Sequence, residues 1–413
     1  MKKSLLSMSI LAAMASTSAV AMNKVYDETS LQQAIAAANA DSSINKIVFK
    51  KNAHIALTSP AIYTGSQSLT LIGNKAVIDG SSAGSFVLDS DLTAVTEDGT
   101  LVFNTAGDIT LRNLTVENSA TRGVVVNIPA DATGDDIEVK LHKVNITDSA
   151  LFGLHIDDNA DEFDDGVVGS AIGIDLKISQ SSFVGNGTGA IDFDGVRVDE
   201  RAEGDINSII VHTHIDGNGG DGIELDEAGN GDVDSTMLHV TINDNGFYNE
   251  EDLDDGFDID EAGDGDIEAT FFRVQLNNNM DEGLDLDEEG EGDVKLKLRR
   301  VSALNNADEG VKVDEEDGGD IEANFMKVMV NDNGDDGIQF TELGEGEIDT
   351  KLKKVAANNN AKYGIKIEQW FEEDEAAHVE DAGSLKTRKV SLSGNGNGNG
   401  DGDEIKTNNV IVD

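Results

Sequence analysis

Acidic side chains at fixed intervals are the first chemistry this sequence offers. Asp226 and Glu227, Asp260 and Glu261, Asp287 and Glu288, and Asp314 and Glu315 each open a segment Asp-Glu-x-Gly-x-Gly-Asp, or a close variant of it, that ends at Asp232, Asp266, Asp293 or Asp320. Calcium takes several carboxylate and carbonyl oxygens in flexible geometry, whereas magnesium demands a strict octahedron. These twelve residues are therefore candidate calcium ligands, with the ion lodged between successive segments. A further acidic set at one offset is Asp194, Asp221, Asp255, Glu282, Glu309 and Asp336. Basic residues share another: His239, Arg273, Arg300, Lys327 and Lys354, preceded by His212 and flanked by Arg299 and Lys353. They read as a ligand strip for an acidic polysaccharide or a partner's acidic edge, or else as internal charge compensation.

Catalytic constellations are harder to find. Asp258 with Asp260 and Asp285 with Asp287 are the paired carboxylates that glycoside cleavage needs, yet the pair recurs from unit to unit, and a catalytic site should break a repeat rather than obey it. His155, His212 and His214 have no identifiable partner and read as surface residues. Asn331, Asn333, Asp335, Ile338 and Glu342 fit EF-hand offsets with the glycine one place late and no flanking helices, and the tract from Gly394 to Asp403 lacks a nine-residue period. No phosphate loop occurs, and with no cysteine there are no disulfides or thiolate sites. The catalytic residues stay unknown.

The spacing itself identifies the elements that carry these side chains. A glycine followed by apolar, any, apolar and acidic residues begins at Gly195, Gly222, Gly256, Gly283 and Gly310, and more loosely at Gly337 and Gly364, in steps of 27 except for one of 34. The long step holds an insertion, Phe247 to Leu253. Within the unit at Gly283 the apolar residues are Leu284 and Leu286, then Val294, Leu296 and Leu298, then Val301 and Ala303. Each group alternates with period two, the period of strands rather than helices. Three short strands per unit, turning the same way each time, can hide their apolar sides only by stacking on copies of themselves.

Phe271, Val274, Leu276 and Asn279 also fit the leucine-rich repeat pattern, whose periods include 27. The stretch after the asparagine, Asp-Glu-Gly-Leu-Asp-Leu-Asp-Glu-Glu-Gly-Glu-Gly-Asp, is too rich in glycine for the helix such repeats carry. Units such as Asn279 to Leu284 and Asn306 to Val311, with an asparagine column at Asn218, Asn279, Asn306, Asn333 and Asn360, resemble the pectin-lyase-like parallel β-helix family and its internal asparagine ladder. The resemblance covers residues 100 to 370 well and 45 to 90 loosely. It implies an all-β, single-stranded, right-handed solenoid, the hand that parallel crossovers also favour. Many members cleave polysaccharides, but the Asn-Thr-Asp, Gly-His-Gly and Arg-Ile-Lys sets of the pectin hydrolases have no matching positions here.

The chain divides into four regions. Residues 1–21 have the charged, apolar and small-residue order of a secretory signal peptide, cleaved near Ala21. Residues 22–44 form an N-terminal cap in which Ser30 begins an amphipathic helix carrying Leu31, Ile35 and Ala38. Residues 45–370 form the β-helix, regular over 195–369, and 371–413 an irregular end with a Gly/Asn/Asp tract and a final strand at Val410-Ile-Val. The chain of 413 residues has 30 Lys and Arg against 81 Asp and Glu, a formal charge of −51. That charge repels nucleic acid and anionic lipid at long range, and no later segment is apolar enough to span a membrane. Stacked carboxylates about 4.8 Å apart repel by about 0.9 kcal/mol per pair even in water, so bound cations, a saline medium or protonation must offset them. The expectation is an exported calcium-binding surface or adhesion module, secreted, periplasmic or at the cell surface, without catalysis and with a polysaccharide or cell-surface ligand. The alternative is a calcium-dependent polysaccharide lyase or glycoside hydrolase, its cleft under the insertion or near Asp157 to Ser170.

Overall fold

The computed structural model describes residues 24–89, 92–94, 96, 98–158, 169–248, 253–370 and 382–413. The expected signal peptide, most of the segment from Asp157 to Ser170 and part of the insertion lie outside them. The described chain winds as a parallel β-helix. Each regular coil contributes a first strand, such as Val311–Asp317, to a 12-stranded sheet. A second strand, Ile321–Met326, and a shorter third, Met329–Asn331, lie on either side of a bend and join a 22-stranded sheet. Strands pair in parallel with those one coil away, Val294 with Ile321 and Ile321 with Ile348, so equivalent residues form columns.

The period-two pattern produces this arrangement because successive strand side chains face opposite sides of a sheet. In Ile267–Phe272 the residues Ile267, Ala269 and Phe271 point inward and are buried, as are Val294, Leu296 and Leu298 one coil on. Each fully buried branched or aromatic side chain is worth about 1.5–3 kcal/mol, and one contiguous core runs along the coils. Phe257 meets Phe271, and Phe325 meets Phe340, edge to face at 5.1 and 5.8 Å between centroids.

Two of the bends require a left-handed backbone. Before the asparagine column that position holds Asp244, Asn278, Asn305, Asp332 and Asn359, residues that tolerate the conformation. The column itself is an internal ladder running from Asn186 through Asn218, Asn245, Asn279, Asn306, Asn333 and Asn360 to Asn395. Asn306 Oδ1 accepts the backbone and side-chain N–H of Asn279 at 3.1 and 3.2 Å, and the pattern repeats coil by coil. The ladder sets a requirement on its neighbours: a Cβ on Gly283 would lie 2.5 Å from Asn306 Nδ2.

The N-terminal helix spans Glu28–Ala40 and buries Leu31, Ala34, Ile35 and Ala38. Its cap is Asp27 rather than Ser30: Asp27 Oδ1 accepts the Ser30 N–H at 2.9 Å, and the Ser30 hydroxyl accepts the Asp27 N–H at 3.1 Å. Ser30 is the third helical residue of a capping box, a role that a serine three places after an aspartate can take. The last described strand is Val410–Val412, paired with Gly383–Arg388.

Candidate functional site

The acidic columns separate at the corner between the first and second strands. Continuing the alternation through Val-x-Val-Asp-Glu turns the aspartate outward and the glutamate into the core side. Glu200, Glu227, Glu261, Glu288, Glu315 and Glu342 are accordingly buried in one column. One oxygen of each takes a corner N–H, as Glu288 Oε1 does from Gly292 at 3.1 Å and Glu315 Oε1 from Gly319 at 2.6 Å. The other oxygen has no donor and stands against the carboxyl of the next coil. Burial first, and neighbouring carboxyls next, push the group up to about 8 at Glu227, Glu261, Glu288 and Glu315. A proton held between adjacent carboxyls would satisfy these oxygens, and the next position in register after Glu342 is Gln369, a neutral isostere of the protonated acid.

The expected calcium set therefore does not converge on one corner ion. Asp226, Asp260, Asp287 and Asp314 lie on the outer face of the 12-stranded sheet, opposite in direction to Glu227, Glu261, Glu288 and Glu315. The third group, Asp232, Asp266, Asp293 and Asp320, forms an outer ladder: Asp232 Oδ1 accepts the Asp266 N–H and Asp266 Oδ1 the Asp293 N–H, both at 2.9 Å. Carboxylates come together instead on the face of the 12-stranded sheet. Asp221, Glu224 and Asp258, and likewise Asp255, Asp258 and Asp285, bring ligand oxygens within 4.8 Å of one another. Cations flank this stretch. Arg197 pairs with Asp199 at 2.6 Å and Asp226 at 2.9 Å, and Lys312 with Asp285 at 2.6 Å. Burial, reinforced by like charges, raises Asp221, Asp255 and Asp258 well above the carboxylate range. With Oδ1 of Asp285 buried and lacking a donor, this all-oxygen set fits a hard divalent cation. Sequence reasoning did not group Glu224 and Asp258 with the candidate ligands, although their outward position two residues before Asp226 and Asp260 was the signal; Asp221 and Asp255 come from the acidic column that precedes each glycine.

The basic residues form a second feature on the 22-stranded sheet. His239, Arg273, Arg300, Lys327, Lys354 and Lys389 line one groove of about 900 Å³. Its floor is Val240, Val274, Val301, Val328 and Val355. Each of these basic residues occupies the bend between second and third strands in the left-handed region, with φ from 58° to 62° for Arg273, Arg300, Lys327, Lys354 and Lys389. Such a backbone costs a non-glycine residue about 1–3 kcal/mol. The other left-handed bend meets the requirement with Asn, Asp and Gly; this one holds His212 and His239 and then long cations from Arg273 to Lys389. Among the described residues none of Arg273, Arg300, Lys327, Lys354 and Lys389 lies within 4.0 Å of a carboxylate, although Lys297 and Lys351 nearby do. The strip is therefore not held in close ion pairs among the described residues.

His155 has partners that its spacing did not disclose. It is wholly buried between Arg122, with Nη1 at 2.9 Å from Nδ1, and Asp199, with Oδ2 at 2.7 Å from Nε2. Phe152 packs against the ring at 4.5 Å. Against the cost of burial, Arg197 holds the Asp199 carboxyl below its usual range. The expectation of a surface histidine is corrected here: parallel pairing of Leu154–Asp157 with Val196–Glu200 brings Asp199 beside it from 44 residues away.

Fold and faces together define an acidic parallel β-helix. No protein-family model and no curated protein sequence matches the chain. Among solved structures it is similar to the A-module of the Azotobacter vinelandii mannuronan C-5 epimerase AlgE4, at 12% identity over 90% of this chain and 94% of that one, with a TM-score of 0.44. The periplasmic alginate epimerase AlgG is similar at 13% identity, over 89% and 82%, with a TM-score of 0.41. The AlgE6 A-module of Azotobacter vinelandii is similar at 12% identity, over 95% and 98%, with a TM-score of 0.34. No helix among the described residues is long and apolar enough to cross a membrane.

Proposed function

We propose that the chain is an exported, non-catalytic binding module whose cationic groove holds a linear acidic polysaccharide along the coil axis. One observation carries this reading. In a chain with 81 Asp and Glu against 30 Lys and Arg, a row of exposed cations stands, among the described residues, without a carboxylate within 4.0 Å, in backbone conformations that other residues would adopt at lower cost. The row presents one charge per coil, about 4.8 Å apart, which suits an extended polyanion better than a compact ligand. The net charge opposes approach at long range, so binding depends on screening and close pairing. Retention on an immobilised polyuronate such as alginate or pectate at about 0.15 M salt tests it. The unmodified chain should be retained and the Arg300→Glu/Lys327→Glu variant should not; equal behaviour of the two removes the groove from the reading.

Calcium belongs to the same proposal, held on the acidic sheet by Asp221, Glu224, Asp255, Asp258 and Asp285 with Asp226, Asp260, Asp287 and Asp314 beside them. Bound there, it would supply positive charge between columns that repel one another. Melting should then occur at higher temperature in calcium than in EDTA at matched ionic strength, and identical curves would exclude a specific site. The second reading, a lyase or glycoside hydrolase, has the Arg122–His155–Asp199 line in its favour, beside a segment where the repeat is interrupted. His155 is fully enclosed, however, and touches no open surface. New reducing ends or unsaturated products from acidic or neutral polysaccharides, with or without calcium, would overturn the binding-only reading.

A further inference from the structure

The backbone repeats every coil, but the outward side chains of the second strands repeat every two. In register, Phe272, Arg299, Met326 and Lys353 form one column, and Thr270, Lys297, Asn324 and Lys351 form the column beside it. Both alternate between an uncharged residue and a cation. The interior alternates with them: Phe271 over Ala269, then Leu298 over Leu296, then Phe325 over Ala323, all buried. Packing accounts for the interior pattern, since a large ring beside a small residue fills the same volume as two leucines. It makes no demand on the exposed face.

The second-strand face beside the groove, a separate hollow lined by Phe272, Arg299, Met326 and Lys353, is therefore banded. The coils of Val294–Arg299 and Ile348–Lys353 each end in two adjacent exposed cations, Arg299 with Arg300 and Lys353 with Lys354. None of these four pairs with a carboxylate within 4.0 Å among the described residues, whereas Lys297 and Lys351 are each held at 2.6 Å by Glu268 and Asp349. The intervening coils present a single cation, Arg273 or Lys327, beside the half-buried side chain of Phe272 or Met326. Phe272 is the low apolar ground between charges, with the guanidinium carbons of Arg273, Arg299 and Arg300 at 5.1, 5.4 and 5.6 Å from its ring centroid. One full band spans two strand spacings, about 9.6 Å. The banding ends at Gly383–Arg388, where Arg388 and Lys389 come directly after Lys353 and Lys354 in the stack.

We infer that this banded face, next to the groove and bordered by the same bend cations, selects a linear glycan whose own repeat is two sugars, one anionic and one uncharged. The inference rests on the binding reading above and narrows its ligand. Anionic sugars sit over Arg299 with Arg300 and over Lys353 with Lys354. Uncharged sugars lie with their C–H faces over Phe272 and Met326, where Thr270 and Asn324 offer hydrogen bonds to hydroxyl or acetamido groups. A homopolymer of uronate would also place a carboxylate over each apolar band, where a single bend cation, Arg273 or Lys327, stands in place of an adjacent pair, so its desolvation is less fully compensated there.

The test compares two probes of equal chain length at equal ionic strength: a polymer alternating uronate with N-acetylhexosamine, and a homopolyuronate. The homopolymer carries twice the charge, so charge alone favours it. The unmodified chain should nevertheless bind the alternating polymer tighter, by about threefold or more. The Asn324→Lys/Met326→Lys variant, which fills the apolar band with cations at exposed or half-exposed positions, should reverse the order while its melting temperature stays unchanged. If the unmodified chain binds the homopolymer as tightly or tighter, the inference falls and the groove reading stands. Binding of neither polymer removes both, and a preference that survives in the variant places the selectivity outside these bands and overturns the assignment.

Discussion

Arg300 and Lys327 show how a single residue can reveal a use that its type does not. A lysine on a surface is ordinary; a lysine held at φ 62°, without a carboxylate near it, is not explained by folding. Replacing it with a residue that prefers this backbone separates the two roles. Lys327→Asn should melt at the same temperature or a few degrees higher, because asparagine relieves a strain of about 1 kcal/mol, while retention on polyuronate falls several-fold. A lowered melting temperature with unchanged retention would mean that the lysine serves the fold. The offset shared by these cations was legible in the sequence. Their conformation was not, because the left-handed bend there carries no glycine to announce it.

Among elements, the stacked corner explains how so acidic a chain closes on itself. Two aspartate columns accept the N–H of the following coil, and the inward glutamates sit opposite one another, where burial favours the neutral form. The asparagine ladder performs the same task at another corner. Asn306→Ala should remove the two bonds donated by Asn279 and leave buried backbone groups without partners, costing about 1–3 kcal/mol, read as a lower urea midpoint at unchanged m-value. A change below a few tenths of a kcal/mol would mean that water replaces the amide there. Asn186, Asn245 and Asn395 complete a ladder of which five rungs were legible from spacing. Asn245 stands 27 residues beyond Asn218 and escaped notice because the long step to Gly256 hides its register.

Across the whole molecule, pH should act in the direction opposite to ordinary acid unfolding. Glu227, Glu261, Glu288 and Glu315 are raised to about 8, and Asp285 to about 7, above the values of an unfolded chain. Folding thus takes up protons, and the stability these groups contribute is complete below about pH 4 and lost as pH rises through 7 to 8. In EDTA the melting temperature should fall between pH 6 and 9, and calcium should flatten the fall by taking the place of protons on the acidic sheet. A melting temperature that rises over that range would show the columns ionised and paired in some other way.

The arithmetic of spacing alone was enough to establish a solenoid: a recurring glycine, strand periodicity within each interval and an asparagine column admit few other ways of burying the apolar residues. It also established which side chains share a column, since a constant period leaves their vertical order no freedom. Which way each column faces came from three-dimensional packing. Asp260 and Glu261 are neighbours in the chain and yet serve different surfaces, because a strand sends consecutive side chains to opposite sides. His155 and Asp199 are distant in the chain and touch, because pairing between coils is set by the cumulative length of the loops before them, a quantity that no local motif records.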